Sequence, residues 1–522
     1  MRLLREQTVS RTSGSYLGER GEKGVRRRVS RRRVKGEGCQ VPFSSRRERN
    51  LMPSSQNIVA IDLGNSSGRV VLGQWDGGRG VLREIYRFAN EPKEAAGHVV
   101  WDIERIWREI LKGLGIAAAE SGGCVESIGL DCWGAEYVLV DEAGERVGPA
   151  YTLRDPRQVR AMERAFSILP RPRIYKITGI QVLPINALYG LLAHRQESPE
   201  EWAKAKVWLG TPEYFLFRMT GVAVAEYTNA PNSQLVDAAS KSWSREICEA
   251  FGFSLDKFPP LVPPGTILGN LRAEIARETG LSNVKVIAPA CHDTASAVAA
   301  IPHSHHDLAF VSSGTWSLVG TVLGDPVISE QSYEFNITNE GGVGNSIRFL
   351  RNVIGLWLLQ EALKEWNERG PEVSAGELAE QCMAAPLEGA WFDVSEDKVF
   401  LAPGNMLARI NAQLRVQGFP EENRPAALAG IIFRSLAKRY AEVIRAIRIC
   451  TGKRIERLCV MGGGVRNEAL NRLAGTATGL EIVRGPSEAT LIGNVAVQIS
   501  ALENARSLPD IQGIASRLTY AE

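Results

Sequence analysis

The sequence predicts an α/β protein built from two related domains, on the strength of three observations. Strand patterns and helix patterns alternate along the chain, as is typical of α/β folds. The chain has 522 residues, more than the roughly 250–300 at which a single hydrophobic core usually stops growing. An apolar strand, a Ser/Gly turn and a second strand occur at residues 57–75 and again at residues 307–323, so each unit is expected to open one domain.

The first half begins with three strand patterns separated by short turns, which predicts an antiparallel meander. These patterns are NIVAIDLG at 57–64, GRVVLGQW at 68–75 and GVLREIYRF at 80–88. Helical spacing follows at residues 104–120, and two more strands are predicted within residues 125–144. Residues 151–279 are rich in helix and loop patterns.

A second run of strands begins near KVIAPA at residues 285–290 and continues through the repeated strand-turn-strand unit. Helices are predicted at residues 353–367 and 421–449, the latter strongly amphipathic. Residues 454–475 predict a buried strand that runs into three glycines and then a helix.

The charge of the chain is unevenly distributed. Residues 1–50 hold 15 Lys and Arg against 5 Glu, which leaves 47 basic and 54 acidic residues in the remainder. The mildly acidic charge of the body argues against nucleic-acid binding by it. No apolar run reaches the ~18 residues of a membrane span, so the sequence predicts no membrane protein.

The basic N-terminal arm has three interpretations: a nucleic-acid tail, a targeting segment, or a stretch upstream of the true start. It lacks the apolar core of a signal peptide, and its five glutamates argue against a transit peptide. Because Met52 directly precedes the first strand pattern, we expect residues 1–52 to be a disordered or misassigned extension.

The eight cysteines occur singly, without CxxC spacing, which predicts scattered reduced thiols and a cytoplasmic protein. The HSHHD segment at residues 303–307 could bind a metal ion. No second ligand group lies nearby in the sequence, so a solvated turn is the preferred interpretation.

The two Ser/Gly turns are candidate phosphate sites. Successive N–H groups in a tight turn form an anion-binding concavity, and glycine lets the main chain approach a phosphate closely. Steric needs alone explain one such turn equally well, but two of them opening two domains point to one polyphosphate in a shared cleft. No Walker A motif and no GxGxxG after a strand is present. The MGGGVRN turn at residues 461–467 offers either a surface for a nucleotide or simply a tight strand-to-helix connection.

PACHDTASAV, at residues 289–298, carries the main catalytic candidate. Neighbouring side chains diverge on a strand or a helix, so His292 and Asp293 are not expected to orient each other as a catalytic pair. Asp293 follows a strand, where α/β proteins usually bind ligands, and it opens a helix. It could therefore be a helix N-cap or the one carboxylate that phosphoryl transfer needs as a base.

Eight segments between residues 57 and 501 together resemble the FGGY family of carbohydrate kinases. They are VAIDLGNSSGRVVL, GLDCWGAEYVLVDEAGERVG, LPINALYGL, AEYTNAPNSQLVD, CHDTASAV, SSGTWSLVG, TNEGGVGNSIRFLRNVIGLWLLQ and GPSEATLIGNVAVQ. The resemblance implies two ribonuclease-H-like, actin-type ATPase domains with a cleft between them. Residues 53–300 would form the N-terminal domain, with sugar and phosphate sites, and residues 301–522 the ATP-binding C-terminal domain.

The resemblance also implies site residues. The ATP-binding residues would be Asn65, Ser66, Ser67, Gly68, Arg69, Thr315, Gln360 and Gly463. The sugar-binding residues would be Gly134, His292, Asp293, Thr294 and Asn352. Asp62 looks like the magnesium-linked aspartate, acting through water, and Asp293 looks like the catalytic base.

The implied reaction is ATP- and Mg²⁺-dependent phosphorylation of the 1-hydroxyl of L-rhamnulose, in rhamnose catabolism. Cys132 and Cys291 stand where Thr and Ser are expected, and the loss of a hydroxyl could change which ketose is preferred. The alternatives are a kinase for fuculose, xylulose or glycerol, and an actin-like or chaperone-like ATPase. The latter would leave DCWG and TNEGG without a purpose. The sequence leaves the oligomeric state unknown.

Overall fold

The structure is a computed structural model that describes residues 55–302, 307–395 and 397–521. The basic arm of residues 1–52 and the three histidines of the HSHHD segment lie outside these residues. The described strands are β1 Gln56–Leu63, β2 Ser67–Trp75, β3 Gly80–Ala89, β4 Lys93–Ala95, β5 His98–Trp101, β6 Ser127–Cys132, β7 Tyr137–Val140, β8 Arg146–Val147, β9 Ala150–Tyr151, β10 Val207–Gly210, β11 Ala225–Glu226, β12 Val236–Asp237, β13 Ser242–Trp243, β14 Leu261–Val262, β15 Thr266–Asn270, β16 Lys285–Ala288, β17 Leu308–Ser313, β18 Trp316–Leu323, β19 Thr338–Gly341, β20 Ile347–Ile354, β21 Arg457–Met461, β22 Glu481–Arg484 and β23 Leu518–Tyr520.

The described α-helices are α1 Ile103–Ser121, α2 Arg157–Ile168, α3 Arg171–Thr178, α4 Ala187–Glu197, α5 Pro199–Lys204, α6 Thr211–Thr220, α7 Arg245–Phe251, α8 Ala273–Thr279, α9 Asp293–Ala299, α10 Glu330–Glu334, α11 Trp357–Arg369, α12 Ala375–Gln381, α13 Asp397–Phe400, α14 Met406–Val416, α15 Pro425–Thr451, α16 Glu468–Thr478, α17 Ala489–Glu503 and α18 Leu508–Ala515. Among the described residues, none of these helices is both long and apolar enough to cross a bilayer.

The first half of the structure, residues 55–302, is organised around a seven-stranded sheet of order β15-β16-β6-β1-β2-β3-β23. Only β23 of this sheet comes from a later part of the chain. Strands β1, β2 and β3 pair antiparallel, which confirms the predicted meander. On the other side of β1, strands β6 and β16 run parallel to it. The carboxyl ends of β1, β6 and β16 therefore meet at one edge of the sheet, where α/β proteins place their ligands.

The second half repeats this arrangement in a six-stranded sheet of order β19-β20-β18-β17-β21-β22. Strands β17, β18 and β20 pair antiparallel, and β21 and β22 lie parallel beyond β17. Strand β17 thus takes the place of β1, with the same directions on each side. The internal repeat that the sequence predicted is confirmed at the level of strand order.

Helices cover both sheets with apolar faces. Asp102 caps α1 by accepting the N–H of Arg105 at 3.0 Å, and Gly122 ends the helix in the left-handed conformation, an arrangement that satisfies main-chain groups at both ends. Helix α1 buries Ile106, Ile110 and Leu114 against the first sheet's core. The long α15 does the same for the second sheet.

The last part of the chain returns to the first sheet. A core cluster joins Ile58 of β1 and Phe310 of β17 to Val495 of α17. Gln498 of α17 also donates to the carbonyl of Val59 at 3.1 Å, and β23 pairs parallel with β3. The two halves are therefore tied together by a helix and a strand that follow the second sheet in sequence.

One helix prediction needs correction. The predicted helix at residues 353–367 begins four residues too early, because residues 347–354 form β20 and α11 begins at Trp357. Pairing along the whole length of β18 fixes residues 353 and 354 in the sheet.

Candidate active site

A cavity of about 520 Å³ is lined by residues from the strand ends of both sheets. Gly64, Asn65 and Ser66, from the turn between β1 and β2, face it. Gly314 and Thr315, from the turn between β17 and β18, face the same cavity. The two Ser/Gly turns therefore open onto one space, the arrangement that binding of a single polyphosphate requires.

Local hydrogen bonds shape each turn. In the first turn Gly64 donates its N–H to the carbonyl of Ser67 at 2.9 Å, and Asn90 Nδ2 donates to the carbonyl of Gly64 at 2.8 Å. In the second turn Gly314 donates its N–H to the carbonyl of Trp316 at 2.9 Å. Each turn is thereby held by a main-chain hydrogen bond, and the first turn also by the side chain of Asn90.

The three glycines after β21 serve two purposes. A Cβ on Gly464 would lie 2.0 Å from Ser313 Oγ, so this position needs glycine for close packing against the end of β17. A Cβ on Gly463 would meet no atom within 4 Å, and Gly463 lines the cavity. The steric interpretation therefore holds for Gly464, while Gly463 leaves open surface on which a ligand can lie.

Arg69 lies where the halves meet. Its guanidinium forms ion pairs with Asp62 on β1 and with Glu488, which precedes α17. Burial favours the neutral guanidine, but the two carboxylates outweigh it and raise the pKa of Arg69. Arg69 and Glu488 line the cavity, whereas Asp62 does not. Arg69 is therefore a fixed cation beside the first turn.

Three aspartates lie at or just beyond the carboxyl ends of neighbouring parallel strands. Asp62 of β1 lies opposite Asp131 of β6, and Asp293 follows β16. Asp131 is completely buried and accepts a hydrogen bond from Asn494 Nδ2 at 2.5 Å. Burial and the nearby charge of Asp62 raise its pKa well above the ordinary value. Sequence reasoning missed Asp131, although it is the aspartate of the quoted DCWG segment.

Asp293 is the first residue of α9 and lines the cavity, with 35 % of its side chain exposed. Its Oδ1 accepts hydrogen bonds from the N–H and the hydroxyl of Thr294, at 2.5 and 3.1 Å. Burial, with a contribution from Asp62, raises its pKa above the ordinary value. A carboxylate with a raised pKa is a stronger base.

Two expectations about this segment need correction. His292, not Asp293, is the N-cap residue of α9, so the N-cap interpretation of Asp293 does not hold. His292 Nε2 also lies 3.4 Å from Asp293 Oδ1, although adjacent side chains were expected to diverge. The bend where the strand-like backbone of His292 meets the helix brings the two side chains to the same side.

The predicted sugar-binding residues surround Asp293. Asn352 donates its N–H and its Nδ2–H to Gln181 Oε1, at 2.8 and 3.1 Å. A Cβ on Gly134 would lie 2.8 Å from Asn232 Nδ2 and 3.2 Å from His292 Nε2. The amides and the imidazole are therefore held in place by one another, and no side chain larger than hydrogen fits at residue 134 without moving them.

Most of the predicted site residues line the cavity. Those that do are Asn65, Ser66, Arg69, Gly134, His292, Asp293, Thr294, Thr315, Asn352 and Gly463. Asp62, Ser67, Gly68 and Gln360 do not line it. Asp62 contacts Arg69, and the Thr315 hydroxyl donates to Gln360 Oε1 at 3.3 Å. Ser67 and Gly68 lie at the start of β2, with Gly68 packed against the Phe88 ring.

The departures at Cys132 and Cys291 lie behind the cavity wall. Both thiols are free and fully buried, and neither residue lines the cavity. The N–H of Cys132 donates to the carbonyl of Cys291 at 2.9 Å, so the two residues join β6 to the loop that carries Asp293. Any effect of these thiols on a ligand is therefore indirect.

Sequence reasoning also missed the residues that hold the site together. The most prominent are Arg348, Glu340, Asn232, Gln181 and Glu488. Arg348 and Glu340 lie in segments quoted for the family resemblance, but the contacts that tie Arg348 to the site are with His292 and Thr228, 56 and 120 positions away in the sequence. Such contacts follow from the packing of the two halves and have no local sequence signal.

Comparison with known proteins gives concordant results. Residues 57–300 match the N-terminal domain, and residues 309–502 the C-terminal domain, of the FGGY family of carbohydrate kinases. A rhamnulokinase from Oceanobacillus iheyensis is 38 % identical over 449 residues, covering 85 % of this chain and 93 % of that protein. A rhamnulokinase from Bacteroides thetaiotaomicron is 38 % identical over 463 residues, covering 88 % and 94 %.

Solved structures show the same fold at lower identity. Gluconate kinase from Lactobacillus acidophilus superimposes with a TM-score of 0.73 at 16 % identity, covering 88 % of this chain and 92 % of that one. Glycerol kinase from Plasmodium falciparum, solved with ADP, gives 0.70 at 15 % identity, covering 90 % and 93 %.

Proposed function

This chain belongs to the FGGY family of carbohydrate kinases, and from that premise we propose that it transfers the γ-phosphoryl group of ATP to the 1-hydroxyl of L-rhamnulose. The observation that carries the proposal is the shared cavity: both Ser/Gly turns and Asp293 line one space. The rhamnulokinases at 38 % identity support the choice of sugar.

Phosphoryl transfer requires alignment, neutralisation of charge and a group that accepts the proton of the attacking hydroxyl. In our proposal the main-chain N–H groups of the two turns hold the phosphates, and Arg69 adds a fixed positive charge. Asp293, partly exposed to the cavity, accepts the proton of the sugar hydroxyl. Residues 53–300 would supply the sugar site and residues 301–522 most of the ATP site.

The residues present fit a magnesium ion bound with the nucleotide. Asp62 and Asp131 lie side by side on β1 and β6, and Asp131 Oδ1 has no hydrogen-bond partner among the described residues. Magnesium commonly uses one or two carboxylates, water and substrate phosphates. Within the described ranges no group of three His, Cys, Asp or Glu side chains could hold a metal ion, so water and the phosphates would have to supply the other ligands. Asp62 would hold the ion through water, and the ion would neutralise phosphate charge.

The rest of the cavity suits a sugar with one apolar end. L-Rhamnulose carries a methyl group at C6 where L-fructose carries a hydroxymethyl group. The first half contributes apolar side chains to the lining, namely Trp133, Leu153, Ile180, Leu183 and Ile185. Polar side chains for the ring hydroxyls come from Asn186, Asn232, His292 and Asn352. An added hydroxyl against the apolar wall would lose hydration without gaining a partner.

The test is ADP release by the full-length protein with Mg-ATP across a panel of L-rhamnulose, L-fuculose, L-fructose, xylulose and glycerol. We expect the highest kcat/KM with L-rhamnulose and a markedly lower value with L-fructose. Faster turnover of another sugar would reject the proposed substrate. ATP turnover that ignores every sugar would instead favour an ATPase without a sugar acceptor.

A further inference from the structure

Arg348 is a fully buried arginine beneath the candidate active site. It lies on β20, has no exposed surface and does not line the cavity. Its Nε donates to the carbonyl of Gly341 at 2.7 Å, and its Nη2 donates to the carbonyl of Thr228 at 3.0 Å. Its Nη1 forms an ion pair with Glu340 Oε2 at 3.1 Å. The guanidinium is therefore held on three sides.

The same guanidinium contacts the imidazole of His292. Arg348 Nη2 lies 3.1 Å from His292 Nδ1, and Asn232 Nδ2 lies 3.0 Å from the same nitrogen. Glu340 Oε2 also faces this nitrogen but lies farther away, at 3.5 Å. A guanidinium can only donate hydrogen bonds, so Nδ1 accepts from Arg348 and the proton of the neutral ring is on Nε2. Nε2 is the nitrogen that faces Asp293 Oδ1, at 3.4 Å.

We propose that Arg348 is a positioning residue that acts through His292: it fixes the imidazole with its N–H directed at Asp293 and the sugar hydroxyls. This inference rests on the proposed function, since it concerns the base of that reaction. Partners behind a functional side chain fix its tautomer and orientation, and small errors in the geometry of reacting groups are costly in rate.

The planar fork of arginine is essential to this role. One guanidinium reaches Gly341, Thr228, Glu340 and His292 at the same time, and lysine offers a single ammonium with no fixed fork. Arg348→Lys would keep the positive charge beside Glu340 while losing several of these contacts. This substitution therefore tests the orientation of the His292 imidazole while the positive charge at residue 348 is kept.

The test is a double-mutant cycle in the full-length protein, with L-rhamnulose and Mg-ATP as substrates. The variants are Arg348→Lys, His292→Asn and the two combined. We expect Arg348→Lys to lower kcat by about 10- to 100-fold with little change in the KM for ATP. If Arg348 acts through His292, the combined variant should be no slower than His292→Asn alone.

The matched control is Arg351→Lys on the same strand, where the guanidinium contacts the carbonyl of Phe335. Its kinetics should match those of the wild type. The inference is overturned if the loss of kcat in the combined variant equals the product of the two single losses. It is also overturned if Arg348→Lys has the kcat of the wild type. A wild-type protein inactive on L-rhamnulose would overturn the proposed function instead.

Folding of the variants is checked by circular dichroism and thermal unfolding. Should Arg348→Lys not fold, Arg348→Gln combined with Glu340→Gln removes both buried charges together, which avoids an uncompensated carboxylate. Glu340 lines the cavity and lies 3.5 Å from His292 Nδ1, so Glu340→Gln alone is the reference for this neutral pair. Measured against that reference, the pair takes the place of Arg348→Lys in the cycle, with the same expected loss of kcat and the same criterion for rejection.

Discussion

Three carboxylates among the described residues line the cavity: Asp293, Glu340 and Glu488. Asp293 has the most exposed side chain of the three and lies next to the predicted sugar-binding residues. Asp293→Asn keeps the shape of the side chain and removes its basicity. We expect kcat to fall by about 10² to 10⁴, while the Kd for ATP, measured by calorimetry, stays close to the wild-type value. Nearly unchanged turnover would show that another group accepts the proton.

Gly134 allows a second residue-level test. The Cβ of Gly134→Ala would press on Asn232 Nδ2 and His292 Nε2, both parts of the sugar-binding wall. Overpacking typically costs about 1–3 kcal/mol, so we expect the KM for the sugar to rise by roughly an order of magnitude. The KM for ATP should be unchanged.

Gly115→Ala on α1 is the control for this substitution, because its Cβ would meet no atom within 4 Å. Its kinetics should equal those of the wild type. An equal effect on both KM values in Gly134→Ala would instead indicate a general disturbance of the fold.

At the residue scale, the site residues that lie in turns could be predicted from the sequence, and those that lie beneath the turns could not. Asn65, Thr315 and Asp293 occur beside glycines or at strand ends, where local chemistry suggests a ligand. Asp131 and Arg348 occur inside apolar strand patterns, and only the pairing of β1 with β6 and the contact of β20 with the first half bring them to the site.

Helices α9 and α17 pack closely against each other beside the site. A Cβ on Gly493 of α17 would lie 1.7 Å from the carbonyl of Ser296 in α9. Because α9 begins at Asp293, we expect Gly493→Ala to move the base as well as to destabilise the protein by about 1–3 kcal/mol. Urea unfolding and kcat measure these two effects.

The control here is Gly513→Ala in α18, whose Cβ would meet nothing within 4 Å. It should be as stable as the wild type or slightly more stable. A Gly493→Ala protein with unchanged stability would show that the two helices can separate at no cost.

At the element scale, secondary structure was predicted correctly where the apolar residues followed a single spacing. It was predicted wrongly where strand spacing and helix spacing overlapped. Alternating strands and a glycine-rich turn identified β1, β2, β17 and β18. Residues 347–367 are apolar at both strand and helix spacing, which periodicity alone cannot resolve. The boundary between β20 and α11 is set by the length of β18, a neighbour that only the assembled sheet provides.

The whole molecule contains buried carboxyl groups that link its stability to pH. Burial raises the pKa of Glu136 to about 7, of Glu213 to about 7 and of Glu226 to about 8. In the unfolded chain these groups ionise near their ordinary value of 4.5. Between those limits the folded state binds more protons, so stability must decrease as the pH rises and level off above about pH 8.

Urea unfolding at pH 5.5, 7 and 8.5 measures this trend, which amounts to about 1.4 kcal/mol per pH unit for each group. Glu213→Gln should lessen the slope by the share of one group, since glutamine does not ionise and its amide oxygen can still accept the hydrogen bond that Asn229 Nδ2 donates to Glu213 at 2.9 Å. The control is Glu249→Gln, because the Glu249 side chain is exposed. A pH slope identical in wild type and Glu213→Gln would contradict the prediction.

The two-domain plan was predictable at the scale of the whole chain because its strand-turn-strand unit occurs twice. The return of α17 and β23 to the first sheet was not predictable, since no sequence pattern in either segment indicates which sheet it contacts. The division at residue 300 remains a prediction, and the Asn494 and Gln498 contacts show how strongly the later segment is bound to the earlier one.

Strand β23, residues 518–520, occupies the edge of a sheet whose first strand begins at residue 56. During synthesis on the ribosome, residues 56–89 emerge more than 400 residues before the strand that borders them. Until β23 has been synthesised, the edge of β3 in the nascent meander is unpaired and can pair with strands other than β23. Chaperone dependence during expression is the expected cost of that order of events.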